Sequence, residues 1–429
     1  MSLEKFDPSI GNLPQEQNDV RWAGQEGALQ HFHFPVGVTT PLMSFVLVNW
    51  NYARYVGQTI DSIRAQDYEN FECVVVDNGS DDDSLAVIDR HVGADPRFRI
   101  IRLPENLGQL GAAFIGIRET SGPFLAMIDS DDVLFPSYAS AHIQVHLALP
   151  ASVGLTTSNV MEINGAGECL SSGMRPLAAK GQGTVPGLKD ESSVARLASV
   201  SSGFYNSILS VRTLTVPPDV AGWSWFPGTS NVFRRSIIEF FMKAGNEPYM
   251  RPSDSYFLPL CHAFAGSAVI DFPLSAYRVH GANYYVGREA VQGLKTGSAE
   301  FRAKQPNDAS DNIAAVLDGI ERNHWLLGNR LWDVMDRAAG FGHRSFNFYQ
   351  KPEALALFKS YAVRTMNAVG KRSFVRGISE RFAVRPALEI IREANSGRLP
   401  AGSYYRVLKF RFRGKLSGRR RSVRRARVL

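Results

Sequence analysis

The chain has 429 residues, 44% hydrophobic and 21% charged, so it has the composition of a globular protein and enough length for roughly two or three domains with buried cores. Its three cysteines, Cys73, Cys169 and Cys261, have no paired spacing, which argues against a disulfide framework or a cysteine metal knuckle and fits a reducing compartment. No apolar run reaches about 18 residues, and the start lacks a basic segment followed by an apolar one. We therefore expect neither a membrane-spanning helix nor a secretory signal.

The formal net charge of +7 belongs to one end of the chain. Residues 406–429 hold 11 Lys and Arg residues and no acidic residue, which leaves 37 basic and 41 acidic residues elsewhere, a net charge of −4. In this basic tail, bases alternate with apolar residues over 406–413, a pattern that predicts attachment to an anionic membrane surface. A solvated terminus is the alternative. Nucleic acid, which the same charges would attract, is the least favoured partner.

Strands and helices alternate along the first third of the chain, after an N-terminal extension over residues 1–40. Apolar runs typical of buried strands occupy 44–48, 71–76, 98–103 and 124–128. Helical apolar spacing occupies 55–65, 84–91 and 110–119. This alternation predicts an α/β fold with a parallel sheet and right-handed crossovers. Such sheets bind ligands just beyond the carboxyl ends of their strands.

The pattern is weaker further along the chain. It predicts helices over 138–149, 236–243 and 254–265, strands over 153–163 and 268–271, and a loop over 171–195. The predicted organisation is an extension (1–40), a main domain (41–295), a linker (296–312), a helical region (313–405) and the basic tail (406–429).

The tetrad Asp129-Ser130-Asp131-Asp132 directly follows the predicted strand 124–128. Three carboxylates in four residues repel one another unless water, a cation or a basic partner offsets their charge. Hard divalent ions such as Mg²⁺ and Mn²⁺ take oxygen ligands and bridge carboxylates to substrate phosphates, so one interpretation is a metal–diphosphate site. A solvated turn with helix-capping aspartates is the other. Asn49-Trp50-Asn51 and Asp77-Asn78 fall at neighbouring strand ends, and polar clusters that meet at one rim favour the metal site.

The order of these blocks resembles the family-2 glycosyltransferases, which are inverting sugar transferases with the GT-A fold. The resemblance covers residues 41–285 and rests on five blocks: 44–51, 66–80, 105–122, 124–132 and 277–283. It implies a GT-A (nucleotide-diphospho-sugar transferase) fold with a mostly parallel central sheet, to which the sequence pattern adds the C-terminal helical region.

The resemblance also implies a donor site at the rim. Asp77 would accept a hydrogen bond from the nucleotide base, with backbone near Val48 and Asn49 forming the base and ribose pocket. The other implied donor contacts are Asn51, Asn106, Gly108, Asp129, Ser130, Asp131 and Arg278. Asp131 and Asp129 would hold a divalent metal ion, Mn²⁺ or Mg²⁺, with His280 as a further ligand. The ion would neutralise charge that grows on the departing nucleoside diphosphate.

Structural alternatives stand beside these roles. Asp77 would equally suit a turn that caps the following helix. Asn106 and Gly108 would suit an ordinary turn, and His280 a structural histidine. Many relatives also carry Arg-Asn where this chain has Ala113-Phe114, which leaves the identity of the donor open.

Inversion needs a base on the face opposite the leaving group, to take the proton of the acceptor hydroxyl. Relatives place it at the start of a downstream helix, usually in an acidic pair. Here Asp254 is the single carboxylate, with Ser253 where the family often has Glu. A helix N-cap is the alternative for Asp254, and Glu247 is the spare candidate.

These features predict a metal-dependent inverting glycosyltransferase that uses a nucleoside-diphosphate sugar. Its acceptor would be a hydroxyl of a sugar or lipid-linked sugar, and the resemblance alone suggests bacterial surface-polysaccharide or glycolipid synthesis. A sugar-phosphate nucleotidyltransferase is one rival, but it usually carries an early Gly-rich basic loop, which residues 49–57 lack. A non-catalytic nucleotide-sugar-binding scaffold or sensor is the other. We expect a cytoplasmic protein, which the tail would place on the inner face of the cell membrane.

Overall fold

The computed structural model describes residues 39–150, 153–173, 213–219, 225, 228–243, 245–280, 308–327, 330–340 and 345–412, and the short strands 19–22, 30–33 and 189–190. The strands are β1 Asp19–Trp22, β2 Gln30–His33, β3 Met43–Asn49, β4 Phe71–Asp77, β5 Phe98–Arg102, β6 Phe124–Asp129, β7 Val133–Leu134, β8 Leu155–Asn164, β9 Cys169–Ser171, β10 Lys189–Asp190, β11 Thr213–Val216, β12 Asn231–Arg234 and β13 Ser267–Val279. The helices are α1 Val56–Arg64, α2 Ser84–Val92, α3 Gly108–Arg118, α4 Tyr138–Ala148, α5 Arg235–Phe241, α6 Ser253–Ala265, α7 Asp308–Leu327, α8 Leu331–Gly340, α9 Pro352–Ser360, α10 Ala362–Val369, α11 Lys371–Arg381, α12 Val384–Ala394 and α13 over 403–412.

One large sheet organises the chain, with the strand order β10-β11-β13-β8-β12-β6-β3-β4-β5. Strands β6, β3, β4 and β5 pair in parallel, as their alternation with helices predicts. Strand β12 enters between β6 and β8 and is antiparallel to both, whereas β13 and β8 are parallel. The predicted α/β class, with a mostly parallel central sheet and a helical C-terminal region, is confirmed.

The register of the parallel strands places their polar ends at one edge. Asn49 pairs with Asp77 across β3 and β4, and Val48 pairs with Asp129 across β3 and β6. Buried apolar residues make up most of these strands, and β3, β4 and β6 each end at a polar residue, Asn49, Asp77 and Asp129. The predicted convergence of polar clusters at one rim follows from this register.

The later elements differ most from the prediction. Strand β13 runs for 13 residues, from Ser267 to Val279, where the pattern predicts only 268–271. Its pairing with β8 shifts register around Pro273, and the polar residues at this irregularity interrupt the apolar run. The four-residue strand β12 was not predicted, because so short a run gives almost no periodic signal.

The predicted linker and extension also contain regular structure. Helix α7 begins at Asp308, inside the predicted linker 296–312, of which residues 296–307 lie outside the described residues. Strands β1 and β2 form a small antiparallel sheet within the predicted extension. Most of the predicted loop 171–195 and of the basic tail also lies outside the described residues.

The C-terminal helices share a hydrophobic core with one face of the sheet domain. A single cluster joins buried side chains of α3, α5 and α6 to those of α7 to α13. Phe114 of α3 is 4% exposed, and its ring lies 5.7 Å from the rings of Tyr256 and Phe257 on α6. The predicted helical region is therefore packed onto the helices that border the sheet. Among the described helices, none has both the length and the apolar character needed to cross a membrane.

Gly319 is the closest contact between α7 and α5, because a Cβ at this position would collide with the ring and the carbonyl oxygen of Phe240. Gly to Ala within a helix usually stabilises by about 1 kcal/mol. Here we expect Gly319→Ala to lower the free energy of unfolding in urea by about 1–3 kcal/mol, because the helices must separate. Ala314→Gly, at a half-buried position of the same helix, is the control. It should lower the free energy of unfolding by about 1 kcal/mol, the ordinary effect of helix propensity. A stabilised Gly319→Ala variant would contradict the contact.

Candidate active site

A cavity of about 390 Å³ opens at the rim where β3 and β6 end. Seven of the predicted site residues line it: Val48, Asn106, Gly108, Asp129, Ser130, Asp131 and Asp254. The structure does not bring five others to its wall: Asn49, Asn51, Asp77, Arg278 and His280. The spare candidate Glu247 is exposed and also lies off the wall.

Asp129 is held from three sides. Its backbone N–H donates to Thr229 Oγ1 at 3.0 Å, and its Oδ1 accepts a hydrogen bond from Gln109 Nε2 at 2.5 Å. A Cβ at Gly228 would lie 2.8 Å from Asp129 Oδ2, so only glycine permits this approach. The carboxylate therefore has one position on the cavity wall.

Asp131 is held by the residues at the end of β13. His280 Nε2 lies 2.8 Å from Asp131 Oδ2, and the His280 ring packs 5.0 Å from that of Tyr55. Arg278 Nε donates to the carbonyl oxygen of Asp131 at 2.7 Å. Arg278 is only 2% exposed, and its backbone N–H donates to Asp132 Oδ1 at 3.0 Å. Arg278, predicted as a donor contact, lies behind the acidic turn and supports it.

The acidic turn concentrates negative charge in a buried place. Burial is the main reason that the pKa of Asp129 lies well above its usual value, and the charges of Asp131 and Asp254 raise it further. Burial likewise raises the pKa of Asp132, together with the charges of Asp131 and Asp129. A carboxyl whose pKa rises on folding supports the fold at low pH and loses that contribution as the pH climbs through the raised value. A bound cation favours the ionised form and offsets this cost.

Asp77, the last residue of β4, is 1% exposed. Its Oδ1 accepts hydrogen bonds from Asn49 Nδ2 at 2.9 Å and Ser80 Oγ at 2.6 Å. Asn51, with a left-handed φ of 58°, accepts a hydrogen bond through its Oδ1 from the N–H of Asp81. These three side chains, predicted as donor contacts, instead tie the loops after β3 and β4 together.

Asn78, the residue after Asp77, lies on the cavity wall. Its Nδ2 donates to Asn106 Oδ1 at 2.9 Å, and its Oδ1 accepts from the N–H of Leu107 at 2.9 Å. The sequence did not single out Asn78 as a site residue. Successive side chains at a strand end point in opposite directions, so a shift of one residue changes which side chain faces the cavity. The signal was present, since Asn78 adjoins Asp77 in the turn cluster.

Asp254 lies in the first turn of α6, which begins at Ser253. Pro252 holds the N-cap position, so the alternative of Asp254 as an N-cap is not what the structure shows. Asp254 is 8% exposed on the cavity wall, and its Oδ1 accepts a hydrogen bond from the N–H of Ser255 at 2.5 Å. The carboxylate thus faces the cavity that Asp129 and Asp131 also line.

Other wall residues that the sequence did not single out are Trp50, Tyr52, Gln109, Gly228, Met250, Arg251, Pro252 and Tyr277. Trp50 is 49% exposed, an unusual fraction for tryptophan and the clearest sign of a functional surface among them. Gln109 gave no signal, since its contacts depend on residues far away in the chain.

The acidic residues fit a hard divalent cation. Across the ranges that the structure describes, no three His, Cys, Asp or Glu groups are gathered as a ready ligand set. Asp129 and Asp131 nevertheless place carboxylates on the wall, and Mg²⁺ needs only one or two of these with phosphate and water. His280, predicted as a further ligand, lies off the cavity wall and contacts Asp131, with Nε2 2.8 Å from Asp131 Oδ2.

The segment that contains the acidic turn is similar to a known protein family. Residues 44–165, which span β3 to β8 and contain the acidic turn, match the model of glycosyl transferase family 2. This part of the chain is therefore similar to glycosyltransferase family 2. Together with the α/β sheet and its rim, this match confirms the GT-A class that the sequence blocks implied.

Three named relatives illustrate the similarity. A Haemophilus influenzae protein, named an uncharacterised glycosyltransferase, is 36% identical over 98 residues, which cover 23% of this chain and 30% of that protein. A Nostoc protein of the same description is 29% identical over 267 residues, 62% of this chain and 73% of that protein. The succinoglycan biosynthesis protein ExoO of Rhizobium meliloti is 33% identical over 125 residues, 29% of this chain and 35% of that protein. Two of these matches thus span about a third of the relative.

Gly228→Ala tests whether the Asp129 position matters. The added Cβ must push the carboxylate away from the wall, so we expect Mn²⁺ affinity, measured by titration calorimetry, to fall about tenfold or more. Gly173→Ala is the control, because its Cβ meets only the amide end of Asn159, at 3.3 Å, off the cavity wall. Equal affinities for the two variants would show that Asp129 is not a ligand.

Proposed function

We propose that this protein is an inverting glycosyltransferase that transfers a sugar from a nucleoside-diphosphate sugar to a hydroxyl acceptor. The observation that carries this function is the placement of Asp129, Asp131 and Asp254 on the wall of one cavity in a family-2 domain. Such a transfer needs charge compensation for a departing diphosphate and a separate base for the acceptor. The cavity offers acidic side chains for both tasks.

The donor nucleotide binds at the ends of β3 and β4 and the start of α3. Val48, Asn78 and Asn106 line this part of the wall, and Asn78 and Asn106 are fixed by a mutual hydrogen bond. Amide groups that are held in place can recognise the edge of a base without reorganisation. The exposed Trp50 ring at the same edge offers a flat surface for stacking.

Asp129 and Asp131 are the residues that would hold a divalent ion, Mn²⁺ or Mg²⁺. When bound, such an ion supplies Lewis-acid stabilisation of negative charge on the leaving diphosphate. The chain contributes the fixed positions of the two carboxylates, through Gln109 and Gly228 for Asp129 and through His280 for Asp131. Ionised carboxylates in a buried turn favour a cation over water alone.

Asp254 acts as the general base. Its carboxylate accepts the proton of the acceptor hydroxyl while that oxygen forms a bond to the anomeric carbon of the donor sugar. The bond from the anomeric carbon to the diphosphate oxygen breaks on the opposite face, so the configuration inverts. The nucleoside diphosphate leaves with the electron pair of that bond.

The acceptor is a sugar or lipid-linked sugar of a bacterial surface polysaccharide or glycolipid. Support comes from the relative named for succinoglycan biosynthesis. The protein works in the cytoplasm, at the inner face of the cell membrane.

Asp254→Asn separates binding from catalysis. In a screen of UDP, GDP, dTDP and CDP with and without Mn²⁺, we expect the wild type and Asp254→Asn to show the same thermal stabilisation by one nucleotide. Transfer from the matching nucleotide sugar should fall by about 10²–10⁴-fold in the variant, because the proton acceptor is lost. Glu247→Gln, which changes an exposed carboxylate off the wall, is the control and should retain full transfer. Undiminished transfer by Asp254→Asn would remove it from the mechanism, and a wild type without transfer would favour a sensor.

The end of the helical region supports attachment to an anionic membrane. Helix α13 is anchored by the buried Val407, while Tyr404, Tyr405 and Phe412 are exposed beside Lys409. Aromatic residues flanked by bases suit the interface of a lipid bilayer. Residues 413–429 contain eight further Lys and Arg residues, and each adds attraction of about 1 kcal/mol when it lies near the anionic membrane surface.

Vesicle flotation tests this attachment. We expect the full chain to float with vesicles rich in phosphatidylglycerol and to remain below with pure phosphatidylcholine, because the attraction is electrostatic. A chain that ends at residue 412 keeps Val407 and should lose most of the binding, as should the full chain at high salt. Equal flotation of both chains would exclude a role for the tail.

A further inference from the structure

The side chain of Gln109 joins the two acidic parts of the cavity. Its Nε2 donates to Asp129 Oδ1 at 2.5 Å, and its Oε1 accepts a hydrogen bond from the N–H of Ser253 at 3.1 Å. Ser253 is the first residue of α6 and directly precedes Asp254. One amide group therefore contacts both the carboxylate of the acidic turn and the backbone that carries the proposed base.

Only one orientation of the amide satisfies both contacts. A carboxylate oxygen can only accept, and a backbone N–H can only donate, so the NH₂ must face Asp129 and the carbonyl must face Ser253. A side chain with acceptors alone, or with donors alone, can make one contact but not both. This requirement distinguishes a bridge from simple filling of space.

The backbone around Gln109 is fastened to the same segment. The N–H of Tyr249 donates to the carbonyl oxygen of Leu107 at 2.7 Å. The N–H of Leu110 donates to the carbonyl oxygen of Arg251 at 3.2 Å. Gly108 has a φ of +77°, and a Cβ there would lie 2.5 Å from the carbonyl oxygen of Tyr249. The start of α3 thus lies directly against the segment that leads into α6, so movement at one is passed to the other.

We infer, on the basis of the proposed function, that Gln109 is a positioning residue that couples the diphosphate side of the site to the base. It fixes the separation between Asp129 and the first turn of α6. When the Asp129 carboxylate is ordered by a ligand, the Gln109 amide is ordered with it and holds the Ser253 N–H. The first turn of α6, which carries Asp254, is then held more firmly when the diphosphate side is filled.

Hydrogen–deuterium exchange of the full chain tests the coupling without any sugar donor. In the wild type we expect Mn²⁺ alone to slow exchange of the amides at the start of α6, by about threefold or more, because local opening becomes rarer. In Gln109→Met, which keeps the length but has no amide, Mn²⁺ should leave this exchange unchanged. Gln144→Met, at a half-buried position of α4 off the cavity wall, should behave as the wild type.

Two further variants separate the halves of the bridge. Gln109→Glu can accept from Ser253 but cannot donate to Asp129 when ionised, and Gln109→Lys can donate but cannot accept. Without metal, the start of α6 should exchange as in the wild type for Gln109→Glu and faster for Gln109→Lys and Gln109→Met. All three should lower kcat for transfer by about 10- to 100-fold, with a smaller change in the KM of the donor.

The outcomes separate this inference from the proposed function. An exchange rate at α6 that Mn²⁺ does not alter in the wild type overturns the coupling, whatever the activity. A wild type that transfers sugar, with Gln109→Met equal in kcat, overturns the positioning role alone. A wild type that shows the coupled exchange but transfers no sugar overturns the proposed function and leaves the bridge in place. Thermal unfolding and far-UV circular dichroism show that each variant is folded.

Discussion

The rest of the structure depends on how four consecutive residues, Asp129 to Asp132, are held with three carboxylates in a buried turn. Burial and mutual repulsion disfavour their charges, as the raised pKa values of Asp129 and Asp132 show. The surrounding elements offset this cost one contact at a time. The hydroxyl of Thr59 on α1 lies 2.9 Å from the carbonyl oxygen of Ser130, and Arg278 on β13 supports the carbonyl oxygen of Asp131. The turn is thus a junction of distant segments.

The cavity wall also connects the sheet to the helical region. Arg251, on the cavity wall, contacts Asp311 at 3.8 Å and lies 3.4 Å from Asn312 Oδ1, both on α7. Its guanidinium also lies over the Tyr256 ring at 5.4 Å. Because Arg251 adjoins the start of α6, the C-terminal helices help to fix the segment that presents Asp254. The C-terminal helices thus affect the site through their packing against the segment that leads into α6.

The sequence predicted the strands and helices, which depend on neighbouring residues. It did not predict the side-chain contacts of the site, which depend on residues far apart in the chain. The strands and helices from β3 to α4, apart from the two-residue strand β7, were predicted within about two residues, because buried runs and turn residues give a local signal. Asp77 was predicted on the wall, yet it ties two loops together while Asn78 faces the cavity. The bridge by Gln109 joins residues 20 and 144 positions away, so no periodicity could reveal it.

The departure from the Arg-Asn pair of many relatives also has a packing cause. Ala113 and Phe114 are buried in the cluster that joins α3 to α6 and the C-terminal helices. An arginine here would have to place its charge within that apolar cluster, at a high desolvation cost. Gln109, at the start of the same helix, instead places a polar side chain on the cavity wall. The packing of α3 thus buries the middle of the helix in the apolar cluster and leaves its first turn, with Gly108 and Gln109, on the cavity wall.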